Sequence, residues 1–301
     1  MEWVAERLIR MFSTSNENGA VAIDAPISGL DHVIIAVHDL DAEHARAVKL
    51  GFTTTEITPH VGWGTANTCI MFPGLDDQGD YVEILGIRDP NIGTNGLAEH
   101  LEALGEGMLS LALKGSAEKA ADAFAAHSVE HFGIEALHRD VQVTPGAPKR
   151  ASFKLLRPKS GAFTPIPAFV CEHLNPDVVW AERFLSHANG AIGIQAVQIM
   201  LTHDQKIGSG YEALISGAFS GSAKGPVGAD LEFYSVESWS RIYGESEASE
   251  AVVYRVADLN QTGEFLRQSG LNYREATFGN RGYIVSPQDA SGVYAVFTDG
   301  N

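Results

Sequence analysis

The feature that most constrains this chain is a pattern that returns: an apolar strand, an aspartate, a helix and a glycine. Val37-His-Asp39-Leu40 leads into a helix that stops at Gly51, and Val256-Ala-Asp258-Leu259 leads into one that stops at Gly270. Twelve residues separate aspartate from glycine in both copies. Aspartate favours the N-cap (in the first copy Asp39 or Asp41) and glycine favours the position just past the end, so the same helix is predicted twice. A third copy begins at Leu109–Leu113, with Ser116 capping an alanine-rich helix through Ala125. A fourth, the most degenerate, begins at Ala196–Leu201 and continues into a helix over Tyr211–Ile215.

Short apolar runs follow each helix and read as strands. The first unit offers 53–58, 68–72 and 81–87, and the second 152–156 and 168–173. In the third, 213–219 overlaps the helix reading and 230–236 follows; the fourth offers 273–276, 282–286 and 293–298. The repeated unit is therefore strand, helix, three strands. Alone it has an open edge and an uncovered face, so units are expected to pair. The expected class is α+β, with four βαβββ modules in two pairs. Residues 29–175 form the first pair, 176–189 a connection and 190–301 a second, degenerate pair. Residues 1–28 read as an N-terminal helix and linker, because Trp3, Val4, Leu8, Ile9 and Phe12 fit one helical face.

Charge narrows the function. The formal net charge of −17 repels phosphate backbones and anionic membranes, and no basic run opposes it. No apolar run approaches the ~20 residues of a membrane span. The first residues lack a signal-peptide core, and the two cysteines, Cys69 and Cys171, make neither a disulfide framework nor a zinc pattern. A reducing cytoplasm is the expected setting, with a small-molecule substrate as partner and neither nucleic acid nor membrane. Open sheet edges are compatible with a homodimer.

The chemically informative residues are His32, at the head of the apolar run Val33–Val37, and Glu83, alone in Tyr81–Leu85. Taken singly, His32 reads as a hydrogen-bonded core histidine and Glu83 as a solvated strand carboxylate. Several segments together resemble the vicinal oxygen chelate superfamily (glyoxalase I, extradiol dioxygenases, fosfomycin-resistance and bleomycin-binding proteins), and within it the glyoxalase-like domain proteins. They are Leu30-Asp-His32-Val-Ile-Ile-Ala-Val, Gly64-Thr-Ala-Asn67, Tyr81-Val-Glu83-Ile-Leu, Cys171-Glu-His173-Leu-Asn-Pro176 with Trp180, and His187-Ala-Asn-Gly190.

The resemblance implies that each pair of modules forms a curved sheet around a cleft. It also implies a divalent metal held by the first and fourth strands of each module. His32 and Glu83 stand at such places. In the second module the first strand offers only Ser110, and the last offers Glu172 and His173, on opposite faces, of which His173 is preferred. The implied ligand set is His32, Glu83 and His173, suited to zinc, manganese, iron or nickel with positions open for two substrate oxygens. Glu83 is also the candidate catalytic base; His60, Asn67 and Glu172 are candidate substrate contacts. The implied activity is a metal-dependent lyase or isomerase acting on a small oxygenated metabolite. The alternatives are a non-catalytic binder of a drug-like or aromatic molecule and an extradiol-type dioxygenase. His187 and Asn189 are expected to fix the connection, His100, His127, His131 and His138 to be solvated, and the second pair to be metal-free.

Overall fold

The computed structural model describes residues 7–11, 26–74, 78–144, 147–159, 161–218, 229–245, 247–276 and 281–300. A strand β1 (Arg7–Met11) precedes the first module, which comprises β2 (Ile27–Val37), α1 (Leu40–Lys49), β3 (Thr58–Pro59), β4 (Thr65–Met71) and β5 (Tyr81–Ile87). After α2 (Leu97–Leu104) comes the second: β6 (Gly107–Gly115), α3 (Ala117–Ala126), β7 (His131–Thr144), β8 (Ala147–Pro158) and β9 (Ala168–His173). The third contributes β10 (Ala191–Leu201), α4 (Ser209–Ala218) and β11 (Asp230–Ser235), followed by α5 (Val236–Tyr243). The fourth comprises β12 (Glu250–Val256), α6 (Leu259–Ser269), β13 (Tyr273–Ala276), β14 (Gly282–Val285) and β15 (Tyr294–Thr298).

These strands form two curved sheets. The first has the order β3-β4-β5-β2-β6-β9-β8-β7, and the second β1-β11-β10-β12-β15-β14-β13. At the centre of each, the first strands of two modules run antiparallel, β2 beside β6 and β10 beside β12. Each is flanked in parallel by the last strand of its own module. The helix between them supplies the crossover that parallel strands need. The four-module α+β reading therefore holds.

Local chemistry sets the repeat. The Asp39 carboxylate accepts the Ala42 N–H at 3.0 Å to open α1, Ser116 caps α3, and Asp258 accepts from Asn260 and Gln261 to open α6. Gly51 does more than end a helix. It has φ +87°, and a Cβ there would lie 2.6 Å from the Phe265 ring and 2.9 Å from the Asn189 Cβ. Glycine is needed at this point for both its backbone angle and the close approach of the two halves.

One continuous core joins the helix-bearing faces of both sheets. It runs from Val33, Ile35 and Val37 through Phe124 of α3 and Tyr211 of α4 to Phe233, Val252 and Phe297. The Phe52 ring crosses the join to lie 4.9 Å from that of Tyr254. His187 and Asn189 fix the connection as expected: His187 accepts the Thr53 N–H at 3.0 Å and bonds the Met71 carbonyl, while Asn189 donates to the Leu50 carbonyl. On its other face the second sheet is filled by α5, with Trp239 fully buried and Tyr243 packed on Tyr294. Among the described residues no helix is long and apolar enough to cross a membrane.

Several elements differ from expectation: of the expected strand 53–58 only Thr58 pairs, in β3, and α2 and α5 were not foreseen. Arg7–Met11 is a strand, not part of a helix, and pairs antiparallel with β11; the remainder of residues 1–12 lies outside the described residues. The third module shows only β10 and β11 among those residues, so β1 lies where another module strand would pair, and it covers an exposed edge. Residues 209–218 are helical throughout, which removes the strand reading of 213–218, and Phe219 lies outside the described residues. The long edge strand β7 was not expected at all.

Candidate functional site

The concave face of the first sheet, opposite α1 and α3, gathers a cluster of buried polar side chains. Its centre is β2. The register of β2 against β6 slips between Leu30 and His32, and this bulge brings two consecutive side chains, Asp31 and His32, into one network. Asp31 is fully buried. Its carboxylate lies 2.6 Å from His32 Nδ1 and 3.1 Å from His173 Nε2, and it accepts from Gln78 Nε2 at 3.0 Å. Burial alone would raise the Asp31 carboxyl. The charges and hydrogen bonds of His173 and His32 outweigh burial and hold it well below the usual carboxylate range.

With Nδ1 turned to Asp31, His32 presents Nε2 to Glu83 on the neighbouring strand β5, 3.7 Å from Oε2. The other Glu83 oxygen accepts Asn67 Nδ2–H at 2.5 Å and lies 3.7 Å from His60 Nε2. The His32 ring stacks on Tyr81 at 4.3 Å, which fixes its plane. Burial works to raise the Glu83 carboxyl, but His32, His60, Arg139 and the Asn67 hydrogen bond bring it below its ordinary value. His60 is depressed, chiefly by burial. Its Nδ1 lies 2.9 Å from the Thr65 hydroxyl.

The second module supplies the other wall. Across the central pair His32 faces Ala112, and Phe169 stands beside Ala112 as Tyr81 stands beside His32. Two residues further along, Cys171 on β9 takes the place that Glu83 has on β5. Burial and the Asp31 charge raise the Cys171 thiol well above its ordinary value. Phe153 and Trp180 pack against the His173 ring, each with centroids 4.8 Å away. Trp180, Ala181 and Phe184, from the connection after β9, roof the face against Cys69, Met71 and Tyr81. Beneath this roof lies a cavity of about 50 Å³ whose wall includes Thr55, Asn67, Cys69, Arg139, Val179 and Phe184.

The structure thus brings His32, Glu83, Asn67 and His60 together, and joins His173 to His32 through Asp31. Glu172 stands apart. By strand alternation it faces α3, where it accepts the Ala117 N–H at 2.9 Å and lies 3.8 Å from Lys154. Asp31 and Arg139 were not singled out from the sequence.

The donor set bears on a metal. Two donors bound to one ion at about 2.1 Å each stand roughly 3.0–3.6 Å apart. The 3.7 Å between His32 Nε2 and Glu83 Oε2 leaves room for such an ion, and the Asp31–His32 bond would orient a ligating imidazole from behind. Among the described residues, Asp31, Cys171 and His173 also place one donor atom each within 4.8 Å of one another. His173 Nδ1 is buried without a hydrogen-bond partner. His32 and Glu83 offer two donors to a divalent ion on the side of the first module, whereas His173 Nε2 is turned to Asp31 and Ala112 offers no donor.

A family profile described as "Glyoxalase-like domain" matches residues 30–215. No curated protein matches the sequence. Among solved structures, a xylose isomerase-like TIM barrel/4-hydroxyphenylpyruvate dioxygenase fusion protein is similar over 92% of this chain and 49% of its own, at 11% identity and TM-score 0.54. The chain therefore spans about half the length of that protein, and at this identity the likeness speaks for the fold. The Mn(II)-bound glyoxalase from Novosphingobium aromaticivorans has 12% identity over 92% of this chain and 83% of its own, with TM-score 0.49. The methylmalonyl-CoA epimerase of Streptomyces coelicolor, in complex with 2-nitronate-propionyl-CoA, has 20% identity over 49% of this chain and 99% of its own, with TM-score 0.37.

Proposed function

Since the chain belongs to the glyoxalase-like domain family, we propose that it is a metal-dependent enzyme of lyase or isomerase type that acts on a small oxygenated metabolite. The observation that carries this reading is the facing pair of His32 Nε2 and Glu83 Oε2, 3.7 Å apart, with His32 oriented from behind by Asp31. His32 and Glu83 would hold the ion, with His173 as the third protein donor. A zinc, manganese, iron or nickel ion there would supply Lewis-acid polarisation of two adjacent substrate oxygens.

The chain's own residues have defined tasks in this reading. Asp31 keeps the His32 proton on Nδ1, so Nε2 stays free to donate its lone pair. Asn67 holds one Glu83 oxygen, leaving the other to face His32 Nε2. Glu83 stays ionised at neutral pH and takes the proton from a carbon next to the carbonyl. Trp180 and Phe184 keep bulk water off the reacting atoms.

Metal content of the purified chain after reconstitution, measured by mass spectrometry, tests the reading. Near-stoichiometric metal in the wild type, lost in His32→Ala and Glu83→Ala, is expected. Equal metal in all three proteins, or none in the wild type, refutes it. A second reading, a non-catalytic small-molecule binder, is favoured by Ala112 and the protonated Cys171 on the second wall. It predicts ligand binding that chelation leaves unchanged.

A further inference from the structure

We propose that Arg139 is the anion-recognising residue of this cleft, and that the molecule taken there is a small carboxylic acid of two or three carbons. The proposal deepens the reading above by naming the substrate class. It shares the location of the site with that reading but does not depend on the metal.

Three observations converge. Arg139 lines the cavity beside Asn67 and Cys69 and hydrogen-bonds the Cys69 sulfur, yet its Nε is buried with no hydrogen-bond partner, and among the described residues it makes no ion pair. An arginine present only to offset Glu83 would bond it directly, but Glu83 takes its hydrogen bond from Asn67. The adjacent Asp140 also lines the cavity, and its carboxylate lies 3.6 Å from the exposed Arg150. Second, Trp180 Nε1 in the roof is another buried N–H without an acceptor. Buried polar atoms are paired in the great majority of cases; the unpartnered nitrogens of Arg139, His173 and Trp180 lie along one line of ring contacts through Phe153, and Arg139, the member that lines the cavity, marks where an acceptor arrives with a ligand. Third, the cavity of about 50 Å³ limits that ligand. A water needs ~10–15 Å³ by the same measure, so the space takes roughly three to five water-sized groups.

A planar guanidinium matches a carboxylate with two parallel N–H···O bonds, which a neutral carbonyl compound cannot reproduce. Because the cavity wall also holds Glu56 and Asp140, Arg139 supplies the positive charge that an acid needs there.

Isothermal titration of the full chain with pyruvate, lactate and glycolate, and with their neutral amides, tests the proposal with and without chelator. The wild type should bind at least one acid at least tenfold more tightly than its amide. Arg139→Gln, checked for native circular dichroism, should bind acid and amide alike. Failure of every acid to bind the wild type, equal binding of acid and amide by it, or an acid preference kept in Arg139→Gln overturns the proposal. The wild-type comparison needs no variant to fold. Acid preference that survives chelation in a protein that binds no metal would retain this proposal while removing the metal-dependent reading. Stoichiometric metal with no acid preference would do the reverse.

Discussion

Replacing Asp80 with Asn should stabilise the protein, increasingly so as pH rises. Asp80 lies just before β5, is buried, and accepts the Ile194 N–H of β10 at 3.1 Å, so it ties the first sheet to the second. Burial pushes its carboxyl up to about 7 from 3.8, against the Ile194 hydrogen bond and the charges of Lys114 and Arg255, with Asp31 adding to the rise. The folded protein therefore keeps this proton up to about pH 7, whereas the unfolded chain releases it near 3.8. Between those values the native state binds the extra proton, so Asp80 makes stability fall as pH rises. A pH unit is worth about 1.4 kcal/mol, and a gap of roughly three units makes ionised Asp80 cost about 4 kcal/mol above pH 7. Asn keeps an oxygen for the Ile194 N–H and never ionises. Urea unfolding followed by fluorescence, at pH values from about 4 to 8, should show wild type and Asp80→Asn nearly equal at the acid end. The difference should grow by about 1.4 kcal/mol per pH unit and level off above 7. A difference that stays constant with pH would refute the reasoning, because a purely steric or hydrogen-bonding effect has no such slope.

Asp31→Asn should have the opposite sign. It removes the charge shared by His32, His173 and Gln78, and the loss of one partner from a buried pair costs about 3–5 kcal/mol. Because the folded Asp31 carboxyl is held low, its contribution is complete at neutral pH and begins to fade below about pH 4, where the unfolded carboxyl protonates. Urea unfolding at neutral and acid pH measures both. The cysteines give a simpler check: burial first, and Glu83 next, push the Cys69 thiol up to about 12, and Cys171 is raised likewise. Iodoacetamide at mildly alkaline pH should leave the native protein unmodified and add two groups after denaturation, by mass spectrometry. Rapid alkylation of either native thiol would contradict the closed roof.

The elements legible in the sequence were those that appear as short, mainly apolar runs. Strands β5 and β9 match their apolar runs to the residue, because both lie inside a sheet and bury both faces. Strand β7 was hidden because it is a sheet edge: Phe132, Ile134 and Leu137 are exposed among His131, Glu135, His138 and Asp140, and the mixture shows no period. Arg139 was lost with it. Helix α5 follows β11 without a break, so Ser235, which caps it, read as the end of a strand. In the site, His32 and Glu83 stood out as lone polar groups in apolar runs. Asp31 did not, since simple alternation puts neighbouring side chains on opposite faces, and the bulge that overrides it is set by the pairing of β2 with β6.

The placement of β1 carries a consequence for how the chain assembles. Its partner, β11, lies beyond both modules of the first sheet and beyond β10 and α4. During synthesis from the N-terminus, this strand, made before every other described element, thus finds its hydrogen bonds only after β11 has emerged. Until then the strand is an unpaired template, open to the wrong edge, and closing so distant a pair adds to the entropy that slows folding. The first sheet needs none of this and can form while the second is still being made. Refolding from denaturant should therefore show two steps, with protection of β2, β5 and β6 amides ahead of β1.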